Sequence, residues 1–164
     1  MTTSNSTNFE LDVADYIEEA FERCGLEVRT GYDLQTAKRS LNIMLAEWAN
    51  RGLNQWTIEQ RTQALTANDS DYSLGTDVID ILSAVVRRST TDFSMSRISR
   101  DTYLSTPSKA TTGRPTQFFL DRQITPNLKI WPTPENSTDT IVYDALTRIQ
   151  DADSPTNTVE IPFR

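Results

Sequence analysis

The chain has 164 residues, of which 37 % are hydrophobic and 24 % charged, with a formal net charge of −7. That length suits one domain, and its low apolar share predicts a lean core that partners help to bury. The negative charge argues against free binding to a nucleic-acid backbone. With no histidine there is no Ser-His-Asp or Cys-His triad and no histidine-ligated metal, and the single Cys24 allows no internal disulfide or thiolate cluster. The longest apolar run, the four residues Ile43-Met44-Leu45-Ala46, is far too short for a membrane helix.

Residues 1–8 are small and polar, predict a mobile arm, and have no apolar segment of the signal-peptide kind. Asp12 is a plausible N-cap for a first helix. Its stripe is Val13, Tyr16, Ile17, Ala20, Phe21 and Cys24, with Gly25 in the position of a C′ glycine. Cys24 on that stripe is expected to be a small buried hydrophobe. Thr30-Gly31-Tyr32-Asp33 has the form of a capping box. It opens a second helix with Leu34, Ala37, Leu41, Met44, Leu45 and Trp48 on its apolar face, while Gln35, Lys38, Arg39, Asn42 and Asn50 face away. Gly52 stops it. Residues 9–54 therefore predict an antiparallel helical hairpin. The acidic first helix does not suit a DNA-binding helix-turn-helix.

After Gly52 the pattern changes to that of strands. Alternation begins at Trp56, Ile58 and Gln60; further strands are expected at Tyr72–Leu74, Ile79–Arg88 and Phe93–Ile98, with a helical turn over Arg100–Leu104. Thr106–Pro115 has two prolines, one glycine and only Ala110 as an apolar residue, and reads as an exposed structureless loop. Gln117–Leu120 and Leu128–Trp131 read as paired strands. Asp139–Leu146 is another, with Ile141, Tyr143 and Ala145 on one side. Residues 55–150 thus predict a small antiparallel β-domain, and the fold class is α+β, a helical hairpin followed by that domain. Residues 151–164 are a polar loop and an apolar return segment ending Ile161-Pro162-Phe163-Arg164. That apolar, uncapped end predicts a native product longer than 164 residues.

Charge is unevenly spread. Residues 1–33 hold eight acids and two bases; residues 87–129 hold eight bases and three acids; residues 130–164 hold six acids and two bases. Solvated faces are one reading, and complementary patches between neighbouring copies the other. Asp69 and Asp71 do not complete a calcium loop, since Leu74 and Asp80 stand where glycine and glutamate are needed. No phosphate-binding glycine loop exists. The sequence therefore marks no catalytic, cofactor or metal residue. Arg97, Arg100, Lys109, Arg114 and Trp56 are the candidate interface residues, Trp56 as a joint or anchor. Arg87, Arg88, Arg97, Arg100, Lys109 and Arg114 are the candidates for lining a DNA path, and the alternative for each is a solvated or salt-bridged side chain.

The stretch YDLQTAKRSLNIMLAEWANRGLNQWTIEQ resembles the helix-then-strand opening of tail-adaptor proteins of short-tailed bacteriophages, as does SRISRDTYLSTPSKATTGRPTQFFLDRQ with the later LKIWPTPE. Arg51-Gly52 matches the family's helix end, Trp56 its aromatic strand start and Asp121-Arg122 its hairpin turn. The resemblance implies a structural virion protein without enzymatic activity or cofactor. It implies a dodecameric ring of this chain, bound to the portal protein and the tail nozzle protein, with DNA passing through its channel without sequence-specific binding and with no membrane partner. It also implies helices following Ile161-Pro162-Phe163-Arg164 that pack on Leu34, Leu41, Leu45 and Trp48. Its place would be the virion neck, after assembly in the host cytoplasm. The competing expectation is an enzyme or regulatory binding module of unknown ligand.

Overall fold

The computed structural model describes residues 11–27, 31–52, 55–159 and 161. The predicted arm at 1–8 and the Thr30 position of the capping box lie outside the described residues. The fold is mixed α+β and rich in antiparallel sheet. The chain divides into two compact units, Met1–Trp56 with Ile149–Arg164, and Thr57–Arg148.

In the first unit, helix α1 (Val13–Arg23) starts where the sequence places a cap: the Asp12 carboxylate accepts from Asp15 N–H at 2.9 Å. It ends in a Schellman motif. Gly25, at φ +72°, donates to Glu22 O at 2.9 Å, and Leu26 N–H reaches Phe21 O at 2.9 Å. Helix α2 (Gly31–Asn50) follows, and Gly52 at φ +70° takes the chain out of it. Val13, Ile17 and Ala152 form the buried cluster, with Phe21, Leu34, Ala37, Leu41 and Val159 packed against it.

The return segment belongs to this unit and is held by polar contacts. Asn157 O and Pro155 O accept from Val13 N–H and Ala14 N–H, satisfying first-turn donors of α1 at 2.9 and 3.0 Å. The Asn42 amide receives Ala152 N–H at 2.8 Å and donates to Ala152 O at 3.4 Å; Lys38 Nζ donates to Asp153 O at 2.8 Å. Asn42 and Lys38, expected to face away, instead fix this segment. Cys24 also departs from expectation: it is the C-cap of α1 and is exposed. The stripe is fully covered only at Val13 and Ile17, and the left-handed Gly25 turns the chain immediately beyond Cys24.

The 3-10 turn Gln55–Thr57 spans the chain boundary at which the second unit begins, so Trp56 precedes the first strand rather than starting it. The strands of the second unit are β1 (Ile58–Ala64), β2 (Asp71–Ser73), β3 (Val78–Arg88), β4 (Thr91–Ser94), β5 (Ser96–Arg97), β6 (Thr112–Gly113), β7 (Gln117–Asp121), β8 (Asn127–Trp131), β9 (Thr133–Pro134) and β10 (Thr140–Thr147), with helix α3 (Arg100–Ser105) after β5. One four-stranded sheet has the order β1-β10-β3-β4, fully antiparallel; a second has the order β2-β8-β7-β5. Both contribute to one core, including Ile81, Ala84, Val86, Ile141, Tyr143 and Ala145 from the first and Phe118, Leu120, Leu128 and Ile130 from the second. Alternation of β-branched and aromatic residues on these strands is what places one face of each in that core.

Two short pairs are parallel, β5 with β7 and β6 with β9. The first arises because the chain leaves β4 at Met95 and runs straight on into the other sheet, where Ser96 N–H donates to Thr116 O at 2.8 Å. Two register shifts in the β10–β3 pair leave Ile79 and Leu82 without a cross-strand partner, and Leu82 is exposed at the second of them. Thr57 and Thr147, both buried, exchange side-chain bonds with each other's carbonyls at 2.7 and 2.8 Å. Each hydroxyl is thereby satisfied without water.

Candidate functional site

The cationic stretch 87–129 folds into the β unit, where most of its charge is matched locally. Arg87 binds Asp92 through two bonds of 2.7 Å. Arg88 grips Asp139 at 2.8–3.1 Å and reaches Glu135 at 2.7 Å. Arg97 and Arg122 converge on one carboxylate, Asp80, at 2.8 and 2.7 Å. Arg100 pairs with Asp121, and Lys129 with Asp71. Several of these acids lie outside the basic stretch in sequence, so the apparent cationic patch was neutralised by partners that only folding brings close. Asp80, Asp139 and Asp71 are the residues that sequence reasoning missed, and no spacing rule would have joined them to their arginines.

These pairs fix charges rather than poising them for chemistry. Burial raises the Asp80 carboxyl, but the Arg97 and Arg122 guanidiniums outweigh it and hold the group below the usual carboxylate range. The Arg61 guanidinium does the same for Asp77. Burial pushes the Tyr143 and Tyr72 phenols up. Each shift deepens the ionisation state already present at neutral pH, the opposite of what a general acid or base requires. Among the described residues no group of three or more His, Cys, Asp or Glu side chains could hold a metal ion. No helix of the described residues is long and apolar enough to cross a membrane.

The five candidate interface residues separate into three places. Arg97 and Arg100 border one shallow cleft of about 340 Å³, with Arg122, Phe119 and Leu120. Arg100 lies 5.8 Å from the Phe119 ring centre, and Phe119 stacks on Tyr103. Lys109 stands over the other partner of that stack, its Nζ 5.4 Å from the Tyr103 ring, and donates to Leu104 O and Thr106 O at 3.3 and 3.4 Å. Arg114 covers Phe93, with its guanidinium carbon 3.9 Å from the ring centre. Lys109 and Arg114 make no ion pair among the described residues, so within the stretch 87–129 theirs is the cationic charge that remains after the arginine pairing. Trp56 is half-buried and belongs to the other unit.

The Thr106–Pro115 segment is less free than its composition suggests. Trp131 Nε1 donates to Ser108 O at 2.9 Å, Thr133 Oγ1 donates to Lys109 O at 2.9 Å, and Thr112-Gly113 pairs with Thr133-Pro134. Pro115 is fully buried. The segment is pinned at its middle and end while Lys109 and Ala110 stay exposed. Pinning replaces the missing apolar residues by backbone bonds to β8 and β9.

The surface of the β unit is thus dominated by arginine–carboxylate pairs. A sequence model of the SU10 adaptor protein family matches residues 10–163, and the chain belongs to that family. It is thereby a phage head–tail adaptor. No curated protein matches the chain.

Proposed function

We propose that this chain is the subunit of a dodecameric adaptor ring that sits in the virion neck, binds the portal on one side and the tail nozzle on the other, and lets DNA pass through its channel. The observation that carries this reading is the family match over residues 10–163. The charge pairing supports it physically: arginines already bound to carboxylates do not hold phosphates, so the duplex can slide past them. In this reading α1 and α2 act as an antiparallel hairpin, and the ring assembles in the host cytoplasm. Lys109, Arg114, Arg97, Arg100 and Trp56 lie at contacts with neighbouring subunits or tail proteins, Lys109 and Arg114 foremost because their charge is not already matched.

The test is assembly on portal. Purified full-length protein mixed with portal particles should give, by light scattering and electron microscopy, portal complexes enlarged by a stoichiometric ring. Monomers alone beside unaltered portal, at high concentrations of both, would refute the reading.

A further inference from the structure

The sheet β1-β10-β3-β4 has two open edges, and their geometry is complementary. Strand direction alternates across all three pairings. With four strands, β1 and β4 therefore run in opposite directions, so the β4 edge of a second molecule placed beside β1 continues the alternation without a break.

The hydrogen-bond phase agrees. Leu65 N–H donates to Asp139 O at 3.1 Å, extending the β1–β10 register by one step. In an antiparallel ladder bonded residues alternate. Glu59, Arg61 and Gln63 thus turn their main-chain groups toward β10, while Ile58, Gln60, Thr62 and Ala64 turn theirs to the open edge. Met95 N–H donates to Ala84 O at 3.0 Å, which by the same count leaves Asp92 and Ser94 facing outward from β4. The side-chain rows agree as well. Arg61 and Gln63 stand opposite Tyr143 and Ile141 of the core, so Thr62 is on the outer face; Phe93 stands opposite the core residue Val86, so Asp92 and Ser94 are on that same face. Thr62 can thus meet Ser94 or Asp92 with both bonding direction and side-chain row matched.

β1 is also an unguarded edge. It is seven residues long, regular along its whole register with β10, and without proline. Its charged residues, Glu59 and Arg61, lie in the inner row and are engaged with each other and with Asp77. The outer row, Ile58, Gln60, Thr62 and Ala64, carries no charge. Among the described residues nothing pairs with this edge.

We propose that the β1 edge of one subunit pairs antiparallel with the β4 edge of the next, so that the sheet runs continuously from copy to copy. This is a head-to-tail contact of the kind that closes under rotation, and it rests on the ring reading above while specifying its seam.

Proline at an outward-facing position tests it. Thr62→Pro removes an N–H that β10 does not use, so the fold should survive while docking of the next strand is blocked. Full-length T62P should show the wild-type circular dichroism spectrum and need at least ten-fold more protein to form rings on portal. As a second arm, in a Cys24→Ser background, Thr62→Cys combined with Ser94→Cys, or with Asp92→Cys one register step on, should give a ladder of disulfide-linked oligomers on mild oxidation. Dimers from Thr62→Cys alone would show β1 pairing with itself and overturn the proposal. Normal rings from T62P together with no ladder from either cysteine pair would also overturn it, while leaving the ring reading intact. Absence of rings from the wild-type protein would remove both.

Discussion

The Arg88–Asp139 contact carries a prediction whose sign and asymmetry both follow from burial. The Asp139 side chain is only 3 % exposed, whereas that of Arg88 is 40 % exposed. Asp139 receives Arg88 Nε and Nη2, and its other side-chain donor is Asn136 Nδ2 at 3.3 Å. Arg88→Met strands a buried carboxylate. Removing one partner of a buried pair costs about 3–5 kcal/mol, and the opening left by a half-exposed arginine admits water, which brings the expectation to about 2–3 kcal/mol. Asp139→Asn leaves a neutral acceptor for Asn136 and an arginine that keeps Glu135 and water, so the cost is about 1 kcal/mol. The double variant strands no charge and should be less destabilised than Arg88→Met alone. For a chain of this size these figures correspond to about 5–10 °C for Arg88→Met and about 2–4 °C for Asp139→Asn. Urea unfolding at pH 7, followed by tryptophan fluorescence, measures all three variants. Equal costs for the two single variants, or a double variant that sums them, would refute the reasoning.

Replacing Lys109 and Arg114 with Ser removes two ring contacts worth about 0.5–1 kcal/mol each. Melting should fall by a few degrees while ring formation on portal weakens several-fold; a collapse in melting with normal assembly of the surviving fold would make the segment purely structural. Asp77 and Asp80 have folded values below the unfolded carboxylate value of about 4. The stability they contribute is complete above about pH 4 and is lost as pH falls through the folded values, so the urea midpoint should drop below pH 4. Asp80→Asn should flatten that drop. Cys24 is exposed, so a thiol reagent should modify the native protein completely without denaturant; protection until unfolding would contradict the observed end of α1.

Local chemistry in the sequence determined the elements and much of their ends. Asp12 and Gly25 bracket α1 because a side-chain oxygen and a left-handed glycine satisfy helix termini using only neighbouring residues. Ile141, Tyr143 and Ala145 were legible as the inner row of β10 because period-two alternation is a property of one strand. The adaptor resemblance was likewise carried by contiguous stretches of chain. Tertiary structure decided what depends on residues far apart. The return segment joined the helical unit because Asn42 reads the Ala152 main chain 110 residues away. Cys24 was exposed because its helix runs past its covering cluster. The basic stretch lost its bare charge to Asp80, Asp71, Glu135 and Asp139, and the two open sheet edges exist because β10, late in the chain, inserts between β1 and β3. Charge along a sequence counts only covalent neighbours, while the field at a surface is set by whichever side chains the fold brings within a few ångströms.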